Sequence, residues 1–275
     1  MLAISTICCT EYNLADRVPD FFSGGVYHFE CLAAHAQATE VWSDKPWKIS
    51  NLAIEPTPRD GMNAVPALTS DNPHDRQRAV NQVVALCQQA RLLKAPYVVI
   101  WPGYVPFWSP PTTAGVVDEK NRQLRRDMAP AFIQRLCRSL HEINRNEPDI
   151  GLCLPPAAAF DELPWFDELQ WILDDLPKLP LWYWHNTASC HLLEKMGLTP
   201  AEAWLSQYGS KLAGIHIEDI VQERSRYLPG MGEVKFARLA DYLPARAIRV
   251  LRVDSSFGDE EIWTGCQYLR DLDIV

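Results

Sequence analysis

Glycine is scarce in this chain, with 13 residues in 275, and neither GxGxxG nor GxxxxGK[ST] occurs. A Gly-rich loop cradling nucleotide phosphates is therefore not expected. No apolar run approaches the ~18 residues a membrane span needs. Basic residues are outnumbered, 26 Lys and Arg against 35 Asp and Glu, for a formal net charge of −9. That balance disfavours nucleic acid as a partner, because phosphate binding needs a basic face, and no membrane partner is expected either. The eight cysteines include no CxxC pair. Most lie in apolar stretches such as VVALCQQA and IGLCLP, which reads as buried free thiols in a reducing compartment. The opening MLAISTICCTEYN has no basic segment and no cleavage signal, so a cytoplasmic location is the expectation.

What is present is ordinary globular material, 47% hydrophobic and 22% charged. The length suits one barrel of roughly 250 residues as well as two small domains. Short apolar runs alternate with amphipathic stretches. Strands are predicted at LAISTICC, TEVWS, SNLAIE, PYVVIWPG, IGLCLPP, LPLWYWH, GIHIEDIV and IRVLRVDSS. Helices are predicted over Phe21 to His35, Asp71 to Ala95 with Asp71 as cap, and Asp118 to Asn146 with a kink or restart at Pro130. WFDELQWILDDL, TPAEAWLSQYGSKL, VKFARLADYL and GDEEIWTGCQYLRDL complete the helical set. Near-continuous apolar strands, each followed by a helix, predict a parallel sheet buried on both faces. Length and the absence of a linker favour a single (β/α)8 TIM barrel over residues 1–275, with a shortened or missing second helix.

Three segments are more specific. They are RQRAVNQVVALCQQARLLKAPYVVIWPG, LPLWYWHNTAS followed by GLTPAEAW, and GIHIEDIVQERSRYLPGMGEVKFARLADYL followed by IRVLRVDSS. The sharpest part is His216-Ile217-Glu218-Asp219, then Pro229-Gly230-Met231-Gly232-Glu233-Val234-Lys235-Phe236. Together they resemble the xylose isomerase-like TIM barrels, the sugar (phosphate) isomerases and epimerases, a superfamily that also includes abasic-site endonucleases. The resemblance covers most of the chain. It implies a site at the C-terminal mouth holding one divalent metal on two Glu, one Asp and one His, with carboxylates moving a proton.

Matched position by position, this chain departs from that pattern. The resemblance puts the strand-5 glutamate at Pro155, the strand-6 aspartate at Trp182 and the strand-8 glutamate at Asp254, while His216 matches the strand-7 histidine. Pro and Trp side chains offer no lone pair to a hard cation. A degenerate metal site is the expectation: no cofactor is expected, and a divalent metal stays open as an alternative.

The residues themselves point to a polar cluster among aromatic rings. Trp42, Trp101, Trp182 and Trp184 fall at predicted strand ends, where they either form a wall for a sugar-like ligand or plug the mouth. Arg252 shares strand parity with Asp254. It either lies inside the barrel, paired with Glu40 or Glu218 and taking the charge role of the metal, or is turned out by a bulge. His216 and His185 are strand-end histidines, either acid/base groups or structural remnants. Arg226, with Arg224 and Tyr227, lies on the loop after the seventh strand, where it either binds an anionic group or is solvated. Cys8 or Cys9 facing the mouth is a weak nucleophile candidate.

The expected function is a divergent sugar or sugar-phosphate isomerase or epimerase acting on a small polyhydroxy carbonyl compound, with His216, Asp254 and His185 as catalytic residues. Trp42, Trp101, Trp182, Trp184, Glu40, Glu218, Arg226 and Arg252 are the expected substrate-binding residues. The rivals are a non-catalytic barrel binding a metabolite or partner, and a metal-independent lyase or aldolase. An abasic-site endonuclease is disfavoured by its need for more metal ligands and a basic face. A homo-oligomer is an open expectation.

Overall fold

The computed structural model describes residues 1–55, 67–106 and 116–275. Eight parallel strands close into a barrel: β1 (Leu2–Ser5), β2 (His28–Leu32), β3 (Lys48–Ala53), β4 (Tyr97–Val99), β5 (Gly151–Leu154), β6 (Leu181–Asn186), β7 (Leu212–Ile217) and β10 (Ile248–Leu251). β10 pairs with both β1 and β7, which closes the ring. A separate antiparallel hairpin, β8 (Asp219–Val221) and β9 (Arg224–Tyr227), rises from the end of β7. The fold is thus the predicted (β/α)8 barrel. Among the described residues, no helix is long and apolar enough to cross a membrane.

Outside the barrel lie α1 (Leu14–Ser23), α2 (Thr39–Trp42), α3 (Pro73–Leu92), α4 (Glu119–Asn146), α5 (Phe166–Asp175), α6 (Thr187–Lys195), α7 (Ala201–Tyr208) and α8 (Asp259–Asp271). Caps set their starts. Asn72, rather than Asp71, caps α3 by accepting from the His74 N–H, with Pro73 in the first turn. Asp118 caps α4 by accepting from the Asn121 N–H. That helix runs unbroken through Pro130, so of the expected kink or restart the restart does not occur.

Several predicted elements differ. The stretch Phe21 to His35 is not a helix: α1 ends at Ser23, Gly25 takes a φ of +98°, and β2 follows. Its alternation was disguised because Phe29 and Cys31 face the outer core while the residue between them is a buried glutamate. TEVWS is not a strand but the four-residue α2, so the second helix is indeed short. VKFARLADYL forms only two 3-10 turns, Phe236–Arg238 and Ala240–Tyr242. GIHIEDIV splits between β7 and the hairpin strand β8. All eight cysteines are free and buried, as expected.

Period-two alternation sorts side chains between two cores. Inside the barrel, Ala3, Ala53, Val99, Cys153, Ala213 and Val250 pack around the fully buried indole of Trp184. Small residues on neighbouring strands leave room for that one ring. A Cβ built on Gly214 would lie 2.5 Å from Trp184 Cη2, so glycine is required where β7 passes the indole. Trp184 therefore fills the barrel axis. We expect Trp184→Ala to cost about 3–5 kcal/mol of stability, the usual loss for emptying a core aromatic site. Urea unfolding at constant m-value measures it.

Candidate active site

At the C-terminal mouth, the inward positions turn from apolar to charged. Ser5, Glu30, Asn51, His216 and Arg252 come from five strands or strand ends, and all are buried. Glu30 on β2 is the hub. It accepts from Ser5 Oγ at 2.6 Å, from Asn51 Nδ2 at 2.6 Å and from His216 Nε2 at 2.5 Å. Arg252 Nε lies 3.4 Å from its other oxygen. Burial alone would push this carboxyl up. Electrostatic attraction to His216 and Arg252, with the hydrogen bonds from His216 and Ser5, outweighs it and holds Glu30 down at about 2.

Arg252 follows the last residue of β10 and points inward, so the reading that places it inside the barrel holds. Its ion-pair partners are Glu30 and Glu55, the latter bonded to Nη2; of the two expected acids, Glu218 acts on it through its charge alone and Glu40 lies exposed on α2. Nη1 donates to His216 Nδ1 at 3.2 Å. Glu55, just past β3, also accepts from Arg226 Nη2 at 2.6 Å through its second oxygen. Burial would raise Glu55, but Arg252 and then Arg226 outweigh it and keep it below the usual carboxylate range. Burial likewise opposes the charge on Arg252, while Glu55, Glu30 and Glu218 raise its pKa and keep the guanidinium protonated. His216 is bracketed: Nε2–H faces a carboxylate and Nδ1 accepts from a guanidinium. Trp184 lies against it, with ring centroids 5.2 Å apart.

Above this layer opens a cleft of about 160 Å³. Its polar lining includes Glu55, Asn186, His216, Glu218, Arg226 and Arg252, and its apolar wall includes Trp101, Pro155 and Pro156. Glu218 lies between β7 and β8. Its backbone is clasped by Thr187 at the start of α6, whose hydroxyl accepts from the Glu218 N–H and donates to its carbonyl. Asn186 caps α6 through its Oδ1 and donates Nδ2 to Glu218 Oε1 at 2.7 Å. Among the described residues this is the only hydrogen bond to the Glu218 carboxylate, which leaves Oε2 without one in a residue that lines the cleft.

Asp219, the last residue of the HxxD motif, does different work. Its buried carboxylate accepts four backbone N–H groups: Ile220 and Val234 on Oδ1, Gly230 and Gly232 on Oδ2. These bonds fold the PGMGEV turn back against the hairpin. At Gly232 a Cβ would lie 2.1 Å from the Ile220 carbonyl oxygen, so only glycine allows the approach. The turn thereby anchors the hairpin that carries Arg226 over the mouth.

Other expected site residues fall elsewhere. His185 faces outward, because β6 sends Trp182 and Trp184 inward and Tyr183 and His185 toward the helices. Its ring lies 2.6 Å from Tyr183 Oη, wholly buried, and desolvation holds its pKa down to about 3. Asp254 lies past the end of β10, exposed, where its carboxylate accepts from the Ser256 N–H. That hydrogen bond lowers its pKa, and the residue lines no part of the cleft. Glu40 and Trp42 sit on α2, not on a strand. Glu40 is exposed, and Trp42 donates to the His35 carbonyl. Trp182 is at the far end of the barrel, edge-on to Tyr97. Of the four tryptophans only Trp101 reaches the cleft, stacked near Tyr104 with its N–H 3.3 Å from Glu162 Oε1. Cys8 and Cys9 lie outside it as well, and the Cys8 thiol donates to the Ser5 carbonyl.

Glu30, Glu55, Ser5, Asn51 and Asn186 were missed. Glu55 carried a signal: it closes the apolar run SNLAIE, at a strand end. Glu30 carried one only to a reader who placed β2 correctly.

A divalent metal, which the fold's relatives imply, does not fit this donor arrangement. Both His216 nitrogens are engaged, both Glu55 oxygens bond arginines, and a guanidinium already lies among the carboxylates. No group of three or more His, Cys, Asp or Glu side chains among the described residues is disposed to hold an ion.

Two titrations give this arrangement a pH signature. Glu30 is depressed, so its stabilisation is present above the unfolded carboxylate range and is lost as pH falls toward about 2. His185 is buried neutral and binds its proton more readily when unfolded, so stability is full above about 6.5 and falls toward pH 3. One such proton gives a slope of about 1.4 kcal/mol per pH unit. We expect His185→Phe to flatten the pH dependence of unfolding free energy between pH 6 and roughly 4, where one buried histidine is the sole proton difference removed. An unchanged slope would place the proton uptake elsewhere.

No protein-family model matches the chain, and no curated protein matches it in sequence. Solved structures do. The apo 3-keto-D-glucoside 4-epimerase YcjR of E. coli superposes with a TM-score of 0.72 at 12% identity, covering 98% of each chain. D-psicose 3-epimerase of Clostridium cellulolyticum H10, determined with D-tagatose, gives 0.70 at 13% identity over 100% of this chain and 99% of that one. The IolI protein, determined with a bound zinc atom, gives 0.69 at 12% identity over 99% and 97%. The chain thus shares the (β/α)8 barrel fold of these solved structures.

Proposed function

We propose that the protein is an isomerase or epimerase acting on a small polyhydroxy carbonyl compound by proton transfer, without a divalent metal. The single observation behind this reading is Glu218. It is a buried carboxylate, oriented by Asn186 and Thr187, with one oxygen free of hydrogen bonds among the described residues, and it lines a cleft that two guanidinium groups also line. Such a group is placed to remove a proton from the carbon beside a carbonyl. Arg252 uses one N–H on His216 and one on Glu55 and turns buried Nε toward Glu30, so the second hydrogens of Nη1 and Nη2 are the ones left for a carbonyl or enediolate oxygen. Arg226 stands across the mouth. In this reading His216 is a positioning residue: its ring orients Arg252 against Glu30. Trp101 supplies an aromatic face suited to a sugar ring. The superposed epimerases act on sugars of this kind, which supports the substrate class.

One observation favours a second reading, a barrel that binds its ligand without turning it over. Glu30, His216, Arg252 and Glu55 are bonded mainly to one another, and the cleft, at about 160 Å³, is below the ~300 Å³ common for ligand sites.

Deuterium exchange separates the two. In D2O, NMR should show wild-type protein incorporating deuterium beside the carbonyl of at least one of D-fructose, D-tagatose, D-psicose or L-ribulose. Glu218→Gln should lower the rate by about 10²–10⁴-fold, the range for a positioned base, with the thermal transition little changed. Saturable stabilisation by a sugar with no exchange would establish the binding reading instead.

A further inference from the structure

The chain is acidic overall, with a formal net charge of −9, yet its cations are not evenly shared. At the N-terminal end of the barrel, opposite the candidate active site, lies a cleft of about 840 Å³. That volume falls within the ~300–1,000 Å³ of small-molecule sites. Its lining is basic. His28 opens β2 and Lys48 opens β3, and the two are register partners on neighbouring strands. Lys45 comes from the segment before β3 and Lys94 from the turn before β4, while Asp44 is the one acid among the lining residues described. Among the described residues none of these three lysines makes an ion pair. At the mouth, by contrast, Arg226 and Arg252 are both bonded to Glu55. Lys45 Nζ instead lies 5.9 Å from the centre of the Trp47 ring. Arg249, next to the lining residue Ile248, donates to the Pro244, Ala245 and Ala247 carbonyls, which leaves its charge uncompensated. Burial and then the charge of Lys48 hold the His28 pKa below its ordinary value, so like charges already repel one another here.

We propose that this cleft binds a small molecule bearing a multivalent oxyanion, with Lys45, Lys48 and Lys94 as its cationic contacts. A hollow lined by one sign of charge focuses the field and concentrates counter-ions. Each lysine carries three donors on a flexible stem, so three of them from separate segments can close on one anion. Trp47 adds an aromatic face beside them. A bound anion relieves the repulsion that the empty site carries. The cations converge in a cleft rather than along a face, and the chain as a whole is acidic, which favours a small anion over a nucleic acid or an anionic membrane. Barrel chemistry is assembled where the strands end, not where they start, so this site binds its ligand without turning it over. It stands apart from the reaction read from Glu218, because the core around Trp184 lies between the two ends of the barrel.

The test is calorimetric titration of the full chain with sodium pyrophosphate, inorganic phosphate and citrate at low ionic strength. Pyrophosphate should bind at one equivalent with a Kd below about 1 mM, raise Tm, and bind more weakly as salt is added. Citrate separates the sources of the anion: binding as tight as that of pyrophosphate assigns the site to polycarboxylates, and weaker binding assigns it to phosphoryl groups. Lys48→Gln and Lys94→Gln together should weaken pyrophosphate binding at least about tenfold, the size of one lost charged hydrogen bond. Both side chains are exposed, so the Tm of the unliganded protein should not fall. Arg78→Gln, which removes an exposed cation from α3, should leave binding as it is. Pyrophosphate should also shift the ring NMR signals of His28. Absence of saturable binding of all three anions would overturn the proposal, whether or not the protein is retained by duplex DNA or phosphatidylserine vesicles. So would a lysine variant that binds like wild type, or loss of binding in Arg226→Gln alone, which would move the anion to the mouth.

Discussion

The mouth of this barrel depends on one buried cation shared among several acids. Arg252 joins Glu30 to Glu55 and holds His216 between them. Neither the carboxylates nor the guanidinium could remain charged alone in so dry a place, because an isolated buried ion costs several kcal/mol. Together they offset one another's charge, and neighbouring polar groups complete the layer. Ser5 and Asn51 fill the remaining acceptor sites of Glu30, and Arg226 reaches down to the second oxygen of Glu55. The network links β1, β2, β3, β7 and β10, so it closes the barrel chemically at the same level where hydrogen bonding closes it geometrically.

Beneath that layer, the barrel solves a packing problem with a single large ring. Trp184 fills the axis because Gly214 and several alanines make room for it, and it presents its face to His216. Above it, the HxxD motif divides its labour. His216 faces the charged layer, Glu218 the cleft, and Asp219 turns away to gather the backbone of the following turn. One short segment therefore sets the floor of the cleft, its free carboxylate and the hairpin at its rim.

The fold was legible because it rests on repeating signals. Alternating apolar strands and amphipathic helices, a length near that of one barrel, and the HIED and PGMGEV segments together specify the architecture. The errors fell where local pattern and tertiary role diverge. HFECL looks unlike a buried strand because its central residue is an acid, and only the arrival of Arg252 and His216 from distant strands makes that acid tolerable. TEVWS has strand-like residues but too few to span the barrel, and its Val41 and Trp42 pack equally well from one turn of helix. The aromatic wall proved mostly a filling: Trp182 and Trp184 share a parity that points inward, but at different heights, and only Trp101 stands at the rim.

By itself the sequence determined the barrel, and strand parity offered the inward position of Arg252 as one of two readings. Those are consequences of period-two alternation and residue chemistry, which are local. Tertiary structure alone decided which acids pair with Arg252, that His185 faces the helices, that Asp254 is a turn cap, and that Glu218 keeps an open oxygen. Each of those depends on the height at which a strand ends and on which residues meet across the barrel, up to 222 positions apart for Glu30 and Arg252. No window of sequence contains that distance.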